Sequence, residues 1–273
     1  MTITDILEVK NPTDTQFKAI KERADIYVPG IKNLNISRRN GMIYVLAGAG
    51  GSGKSNLLLN LFKSKDCYRA VFDNIWYFCP AASFASIANH PFADHPRVYH
   101  ELDVQTLEQI YLELVEKKVD DRPKVEKHKK RKKKSKFEDD FEESDESSDE
   151  EKKIEYSCVV FDDFADLLKC KDIQRQLNKM LIKARHLGCA FIFTLQSYLY
   201  FPKILRKQIS FISLWKTRNV EEFNSIAKEL LNLSKDDSII LYDYVFNAPY
   251  NHLDIDTNEN KLYKNFNSLS LKG

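Results

Sequence analysis

The feature that most limits what this chain can fold into is a glycine-rich run that joins an apolar strand to an amphipathic helix. Residues 48–55 read Gly-Ala-Gly-Gly-Ser-Gly-Lys-Ser, and the continuously apolar residues 42–47 before them are typical of a strand buried on both faces. After the run, four apolar residues share one helical face: Leu57, Leu58, Leu61 and Phe62. Glycines let successive backbone N–H groups point at phosphate oxygens, and the following helix turns its partial positive charge toward the same anion. The pattern therefore predicts a phosphate-binding loop, or P-loop.

Each residue of the loop has a predicted part in binding a nucleotide. The predicted nucleotide-binding residues are Gly48, Ala49, Gly50, Gly51, Ser52, Gly53, Lys54, Ser55 and Asn56. We expect Lys54 to reach the β- and γ-phosphates as a catalytic point charge, and Ser55 to give a hydroxyl ligand to Mg²⁺. The alternative is a glycine-rich turn with an incidental lysine, but the flanking strand and helix are the context that phosphate binding requires.

A pair of acids follows a later apolar run. Residues 158–163 read Cys-Val-Val-Phe-Asp-Asp, which predicts a strand that ends with two carboxylates at the ligand-binding edge of an α/β sheet. A P-loop enzyme needs such an acid to hold Mg²⁺, and we expect it on a strand neighbouring the loop strand. We assign Asp162 to Mg²⁺, and Asp163 to the attacking water, which it would orient or deprotonate. A strand followed by an Asx-rich turn is the alternative interpretation.

A glutamine follows another predicted strand, residues 189–195. Gln196 would lie between the Mg²⁺ site and the γ-phosphate, where it could sense hydrolysis. From the residues alone, a strand-end glutamine that bonds to a loop is an equally good interpretation.

Apolar runs and helical stripes alternate along the chain, which predicts an α/β fold with a mainly parallel central sheet and helices on both faces. The predicted strands are 42–47, 74–79, 156–161, 189–195 and 209–215. The predicted helices are 56–62, 104–118, 220–231 and 172–187, the last with Asp172 as N-cap and Gly188 just past its end. Residues 81–100 are predicted to be irregular. Apolar residues alternate as in a strand at 239–245, and residues 256–260 are typical of a hairpin loop.

The charges divide the chain into an ordinary domain and one abnormal segment. Residues 117–153 hold 27 of the 82 charged side chains (42 basic plus 40 acidic), although the net charge of the chain is only +2. That near-balance excludes a uniformly basic nucleic-acid coat and a wholly acidic, chaperone-like chain. We expect 117–153 to be a disordered, solvated insert; a nuclear-localisation-like patch and a DNA-contacting arm are the alternatives. The predicted organisation is an N-terminal extension (1–40), a P-loop domain (41–250) that the insert interrupts, and a C-terminal hairpin or tail (251–273).

No segment of the sequence predicts export or membrane insertion. The N-terminus lacks the basic and apolar regions of a signal peptide, and no apolar run approaches the roughly 18 residues that span a bilayer. Five cysteines without a Cys-x-x-Cys pair disfavour a disulfide framework and a zinc site. We therefore expect a soluble intracellular protein.

Four stretches, in this order, resemble the FtsK–HerA superfamily of P-loop ATPases, and within it the poxvirus-type genome-packaging ATPases of large DNA viruses. They are residues 48–55, 162–164 (Asp-Asp-Phe), 183–188 (Lys-Ala-Arg-His-Leu-Gly) and 194–197 (Thr-Leu-Gln-Ser). Residues 201–206 also look like the family's segment after the sensor, so the resemblance covers about residues 40–245. It implies a sheet of the additional-strand type, in which the Gln196 strand lies between the P-loop strand and the Asp162 strand.

The resemblance also implies roles for single residues. Gln196 is implied to be a sensor, and an arginine from the adjacent subunit is implied to complete the catalytic site. The candidates for that arginine are Arg185, Arg206 and Arg218, and of these we assign Arg185 to the catalytic residues. Arg185 could equally be a solvated charge at a helix end. Many superfamily members carry Glu, which is longer by one methylene, where this chain has Asp163.

The function that the resemblance implies is that of an ATP-hydrolysing motor, dependent on ATP and Mg²⁺, that forms an oligomeric ring and translocates double-stranded DNA into a viral capsid. Its implied partners are double-stranded DNA, further copies of the chain and a capsid or portal-like viral protein. Its implied place is a viral assembly site in the host-cell cytoplasm, or the virion. Three alternatives stay open: another DNA translocase or helicase, a small-molecule kinase, and a nucleotide-dependent structural switch.

Overall fold

The computed structural model describes residues 5–9, 41–65, 67–120 and 155–272. Most of the predicted N-terminal extension and residues 121–153 of the predicted insert lie outside the described residues. Residues 117–120, which the charge pattern assigns to the insert, are helical.

Ten strands form one mixed sheet in the described part of the chain. In chain order they are β1 (Asp5–Val9), β2 (Ile43–Ala47), β3 (Asn74–Phe78), β4 (Val98–Tyr99), β5 (Ser157–Asp162), β6 (Cys189–Leu195), β7 (Phe211–Trp215), β8 (His252–Asp256), β9 (Lys261–Lys264) and β10 (Asn267–Lys272). Their order across the sheet is β1-β10-β9-β8-β7-β2-β6-β5-β3-β4. The strands from β7 to β4 run parallel, and β8, β9, β10 and β1 extend the sheet antiparallel. The predicted mainly parallel sheet is confirmed.

Helices pack on both faces of this sheet, as predicted. They are α1 (Lys54–Lys63), α2 (Ala81–Ala85), α3 (Val104–Asp120), α4 (Lys171–Ile182), α5 (Ala184–Leu187), α6 (Lys203–Arg206), α7 (Val220–Leu231) and α8 (Lys235–Val245). Successive residues of β2 point to opposite faces, so that Val45 joins the buried cluster of α3, α4, α7 and α8, whereas Tyr44 and Leu46 join the cluster of α1. A strand buried on both faces has no polar side, which explains the continuous apolar run at 42–47.

The strand that ends at Gln196, β6, lies between the P-loop strand β2 and the acid strand β5. This is the additional-strand arrangement that the family resemblance implies, and it is confirmed. The expectation that the acid follows a strand adjacent to the loop strand is wrong, because β5 is two positions away from β2. Strand spacing puts their carboxyl ends about 10 Å apart. Ser55, in the first turn of α1, bridges that gap to Asp162.

The helix predicted over 172–187 is broken in the structure. α4 and α5 meet at Lys183, whose backbone (φ −96°, ψ 3°) is not helical. Cys170, not Asp172, is the N-cap, and Asp172 lies in the first turn, where its charge suits the helix dipole. Gly188 ends the segment in the left-handed region (φ 59°), as predicted.

The strand-like alternation at 239–245 is a wrong prediction, because these residues belong to α8. Ser234 caps that helix, since its Oγ accepts a hydrogen bond from the Asp237 N–H (3.1 Å). The buried residues of α8 recur at helical spacing, and they are Asp237, Ser238, Leu241, Tyr242 and Val245. Within 81–100, predicted to be irregular, the chain forms α2 and β4.

Residues 252–272 continue the main sheet. β8 and β9 pair antiparallel, with Leu253 opposite Lys264 and Asp256 opposite Lys261. Across the described stretches, no helix combines the length and the apolar character needed to cross a membrane.

Candidate nucleotide-binding site

The P-loop passes from β2 into α1 through backbone that glycine adopts most easily. Gly53, the N-cap of α1, has φ 102°, which lies in the left-handed region. The Gly48 N–H donates to the carbonyl of Leu195 (3.0 Å), which ties the start of the loop to the end of β6. The loop therefore lies at the carboxyl edge of the parallel strands and at the N-terminus of α1, where an anion is favoured.

Lys54 lies folded over the loop that precedes it. Its Nζ donates to the carbonyl oxygens of Gly48 (2.7 Å) and Ala49 (3.0 Å), and only 9% of the residue is exposed. The ammonium group is thus held at the loop, where the sequence predicts the terminal phosphates.

Asp162 is a buried carboxylate held by hydroxyl groups. Only 2% of the residue is exposed, and three hydroxyls donate to it: those of Thr194 (2.5 Å), Tyr77 (2.8 Å) and Ser55 (3.2 Å). Burial raises the pKa of the Asp162 carboxyl, while these three hydrogen bonds oppose the rise. The bond from Ser55 joins the first turn of α1 to the end of β5.

Asp163 points into solvent beside its buried neighbour. Its backbone has φ 64°, a conformation that Asp tolerates better than most residues, and its N–H donates to Thr194 Oγ1 (3.0 Å). Its carboxylate accepts hydrogen bonds from Ser83 Oγ (3.2 Å) and Gln196 Nε2 (3.4 Å). The ends of β5 and β6 are therefore linked through side chains on the solvent side of the sheet edge.

Most of the predicted site residues line one cavity of about 330 Å³. Its lining includes the predicted residues Gly50, Gly51, Gly53, Lys54, Ser55, Asn56, Asp162, Asp163 and Gln196. Gly48 and Ala49 line a second cavity of about 250 Å³, which shares Gly50 and Gln196 with the first. The tertiary structure thus brings together residues that are up to 148 positions apart in the chain.

Ser55 and Asp162 fit Mg²⁺ by their chemistry. Mg²⁺ prefers oxygen ligands and is usually held by one or two protein groups together with phosphates. A hydroxyl and a carboxylate whose oxygens lie 3.2 Å apart, in the cavity that contains the P-loop, provide such a pair.

The three candidate arginines lie in different places. Arg185 is exposed on α5, which precedes β6, so it lies at the amino edge of the parallel strands and not in the cavity. Arg206 is held by the carbonyls of Phe201 and Leu199 and by Glu229 (2.9 Å), and only 7% of its side chain is exposed. Arg218 is exposed and lines the second cavity, beside the start of the P-loop.

Three polar partners of the two acids were not predicted from the sequence. Thr194 bridges them, because its hydroxyl donates to Asp162 and accepts from the Asp163 N–H. Tyr77 comes from β3 and Ser83 from α2, and their sequence neighbourhood gives no sign of this role. The signal for Thr194 was its place two residues before Gln196, which puts it on a strand end at the same edge.

We expect Thr194→Val to lower the free energy of unfolding by about 1.5–3 kcal/mol, because the buried carboxylate of Asp162 loses one hydrogen-bond donor. Valine keeps the shape of the threonine side chain, so the loss reports on the hydrogen bond. Urea denaturation followed by circular dichroism measures the loss. Ser83→Ala, which removes a solvent-exposed hydrogen bond to Asp163, is the matched control and should change stability by less than about 0.5 kcal/mol. Equal effects of the two substitutions would contradict this expectation.

The fold has known counterparts among solved structures. The genome packaging NTPase B204 of Sulfolobus turreted icosahedral virus 2, in complex with ATP-gammaS, is similar over 84% of this chain and 97% of its own, with 15% identity and a TM-score of 0.52. The pCW3 conjugation coupling protein TcpA with ATPgS is similar over 96% of this chain and 65% of its own, with 12% identity and a TM-score of 0.52. The type VII secretion ATPase EccC of Thermomonospora curvata matches 91% of this chain with 28% of its own cytoplasmic domain, at 17% identity and a TM-score of 0.54.

No protein-family model matches the sequence, and the search of curated proteins found no match. At identities this low, the likeness concerns the fold. The fold is that of P-loop ATPases, and its neighbours include a viral genome packaging NTPase, as the family resemblance of the sequence implies.

Proposed function

We propose that the protein is a Mg²⁺-dependent ATPase that drives double-stranded viral DNA into a capsid. One observation carries the ATPase part: Ser55 of the P-loop bonds to Asp162, and Asp163 and Gln196 line the same cavity. The residues that we propose for phosphate binding, metal binding and activation of water thus surround one cavity, as hydrolysis of a nucleoside triphosphate requires.

Each side chain then has one task. Lys54 stabilises negative charge on the transferring phosphoryl group. Ser55 and Asp162 would hold Mg²⁺, which would neutralise charge on the terminal phosphates when bound. The exposed carboxylate of Asp163 orients the attacking water and accepts its proton. Gln196, whose amide reaches Asp163, connects the state of that water to the segment beyond β6.

Arg218 is the arginine that we propose to contribute to the site. Its charge is exposed at the carboxyl edge of the sheet, and it lines the cavity that also contains Gly48 and Ala49 of the P-loop. Arg206 is engaged in positioning α6 against α7 through Glu229, and Arg185 lies at the opposite edge of the sheet. An oligomeric ring of this chain is part of the proposal, because an arginine that acts on the nucleotide of another subunit requires an adjacent copy of the chain.

Double-stranded DNA is the proposed cargo. The sequence resemblance to genome-packaging ATPases supports it, and so does the fold shared with a genome packaging NTPase and a conjugation coupling protein. A capsid or portal-like viral protein is the proposed partner, at the cytoplasmic assembly site or in the virion. The same fold serves a secretion ATPase, so the cargo has to be tested directly.

We expect the wild-type protein to hydrolyse ATP with Mg²⁺ and to do so severalfold faster when linear double-stranded DNA is added. The measurement is phosphate release with double-stranded DNA, with single-stranded DNA and without DNA. Lys54→Ala sets the background, because it removes the charge that is held at the loop. Lys63→Ala, an exposed lysine in the last turn of the same helix, is its matched control and should behave as wild type.

Two outcomes would contradict this function. If the rate of ATP hydrolysis does not change when DNA is added, and the protein does not form oligomers, the results would argue against a DNA motor. Faster phosphoryl transfer to a nucleoside than to water would favour a small-molecule kinase.

A further inference from the structure

In the proposed function the chain binds ATP, and on that basis the site fixes which end of the nucleotide lies where. Asp162, Asp163 and Gln196 follow β5 and β6, which lie on one side of the loop strand β2. We place the γ-phosphate on this side, because Asp162 would hold the metal there and that metal would neutralise charge on the terminal phosphates. The nucleoside end must then extend past the N-terminus of α1 toward the other side of β2, where β7 and β8 lie.

An exposed aromatic ring stands on that other side of the loop. Tyr250 lies two residues before His252, the residue of β8 that pairs with Trp215 at the carboxyl end of β7, so Tyr250 is at the same sheet edge as the P-loop. A Cβ atom placed on Gly53 would lie 3.6 Å from Tyr250 Cδ1, so the ring lies beside the glycine that caps α1. The residue is nevertheless 46% exposed. A tyrosine this open contributes little to the core.

We propose that the ring of Tyr250 is the platform on which the purine base of the bound nucleotide stacks. Every base has an aromatic face, and stacking on a tyrosine or tryptophan ring is a general way for proteins to bind one. The ring lies next to the loop that takes the phosphates and on the side away from the metal-binding acids, which is where the base of a nucleotide with that orientation lies.

The turn that carries Tyr250 is held by side-chain amides. Asn251 donates to Asn247 Oδ1 (3.0 Å), and Asn265 donates to Asn251 Oδ1 (2.8 Å) while accepting from the His252 N–H (2.9 Å). Tyr250 itself has φ 65°, which is a strained conformation for an aromatic residue and one that occurs at ligand clamps. The network thus holds the turn from which the exposed ring projects, which lowers the entropy lost when a ligand packs on it.

The competing place for the base is the apolar end of the nucleotide cavity, which Leu59 and Ile87 line. Ile87 follows α2, on the side of the sheet where β3 and β5 lie. A base there would share its side with the carboxylates that hold the metal, whereas the triphosphate separates the two ends of a nucleotide. The observations therefore favour Tyr250, and Ile87→Ala is the control that separates the two places.

Isothermal titration calorimetry with Mg²⁺ on the full chain tests the platform with two probes, ATPγS and inorganic tripolyphosphate. We expect Tyr250→Ala to bind ATPγS about tenfold to a hundredfold more weakly than wild type and to bind tripolyphosphate unchanged. Tyr250→Phe, which keeps the ring, should bind both probes as wild type does, and so should Ile87→Ala.

The outcomes separate the platform from the proposed function. Wild-type affinity of Tyr250→Ala for ATPγS would overturn the platform and leave the ATPase intact, and so would a loss confined to Ile87→Ala. Equal weakening of both probes in Tyr250→Ala would also overturn it, since the ring would then only support the loop. A wild-type protein that binds neither probe would overturn the proposed function, and the platform with it.

Discussion

Asp163→Asn should hydrolyse ATP about a hundredfold to ten-thousandfold more slowly than the wild-type protein, yet bind a non-hydrolysable ATP analogue with the same affinity. The reason is that the carboxylate is exposed in the nucleotide cavity, where it can take a proton from water, and an amide of the same shape cannot. The substitution should leave the fold intact. Asn adopts the left-handed backbone of this position (φ 64°) as readily as Asp does, and the N–H that bonds to Thr194 is unchanged.

The measurement is single-turnover phosphate release together with calorimetric binding of the analogue. Asp166→Asn is the matched control, because Asp166 is an exposed acid three residues further along that pairs with Lys169 (2.7 Å) outside the cavity. A rate near wild type in Asp163→Asn would assign the activation of water to another group. Loss of analogue binding would instead show that Asp163 acts in binding the nucleotide or its metal.

Gly41→Ala should lower the free energy of unfolding by about 2–5 kcal/mol, which is a fall in Tm of about 5–15 °C for a domain of this size. Gly41 has φ 63°, and a Cβ atom there would lie 2.3 Å from the carbonyl carbon of Ala184 and 2.4 Å from the nitrogen of Arg185. Both are backbone atoms at the start of α5, so the clash cannot be relieved by the movement of a flexible side chain. The strand that leads to the P-loop is therefore packed against α5 without room for a methyl group.

Differential scanning calorimetry measures this loss. Gly50→Ala is the matched control, since a Cβ atom there meets nothing within 4 Å, and it should unfold at nearly the wild-type temperature. A Gly41→Ala variant as stable as Gly50→Ala would mean that α5 moves away at little cost, and the close packing of α5 on β2 would then not be a stability requirement.

Much of the fold followed from contiguous patterns. The P-loop between an apolar strand and an amphipathic helix is a local signal, because strand, loop and helix N-terminus are built from adjacent residues. The apolar runs gave the parallel strands for the same reason. The strand-like assignment at 239–245 failed because apolar spacings of one, two and three residues suit either period, and the cap at Ser234 decided in favour of α8.

The partners of the two acids could not be found in this way. Tyr77 and Thr194 reach Asp162 from β3 and β6, and which strand ends meet depends on the order of strands in the sheet. Which arginine side chains remain available to a ligand also depends on the tertiary structure. Arg206 looks as available as Arg218 in the sequence, but Glu229 and two backbone carbonyls occupy its guanidinium in the folded chain.

The phosphate-binding loop, the pair of acids and the alternation of strands and helices follow from the order of the amino acids, because each of these depends on residues that are neighbours in the chain. Three contacts arise only when the chain folds: Ser55 meets Asp162 across the end of β6, Thr194 joins the two acids, and Tyr250 lies beside Gly53. These contacts join residues brought together by strand order and by the packing of helices on the sheet, and no local pattern encodes that order.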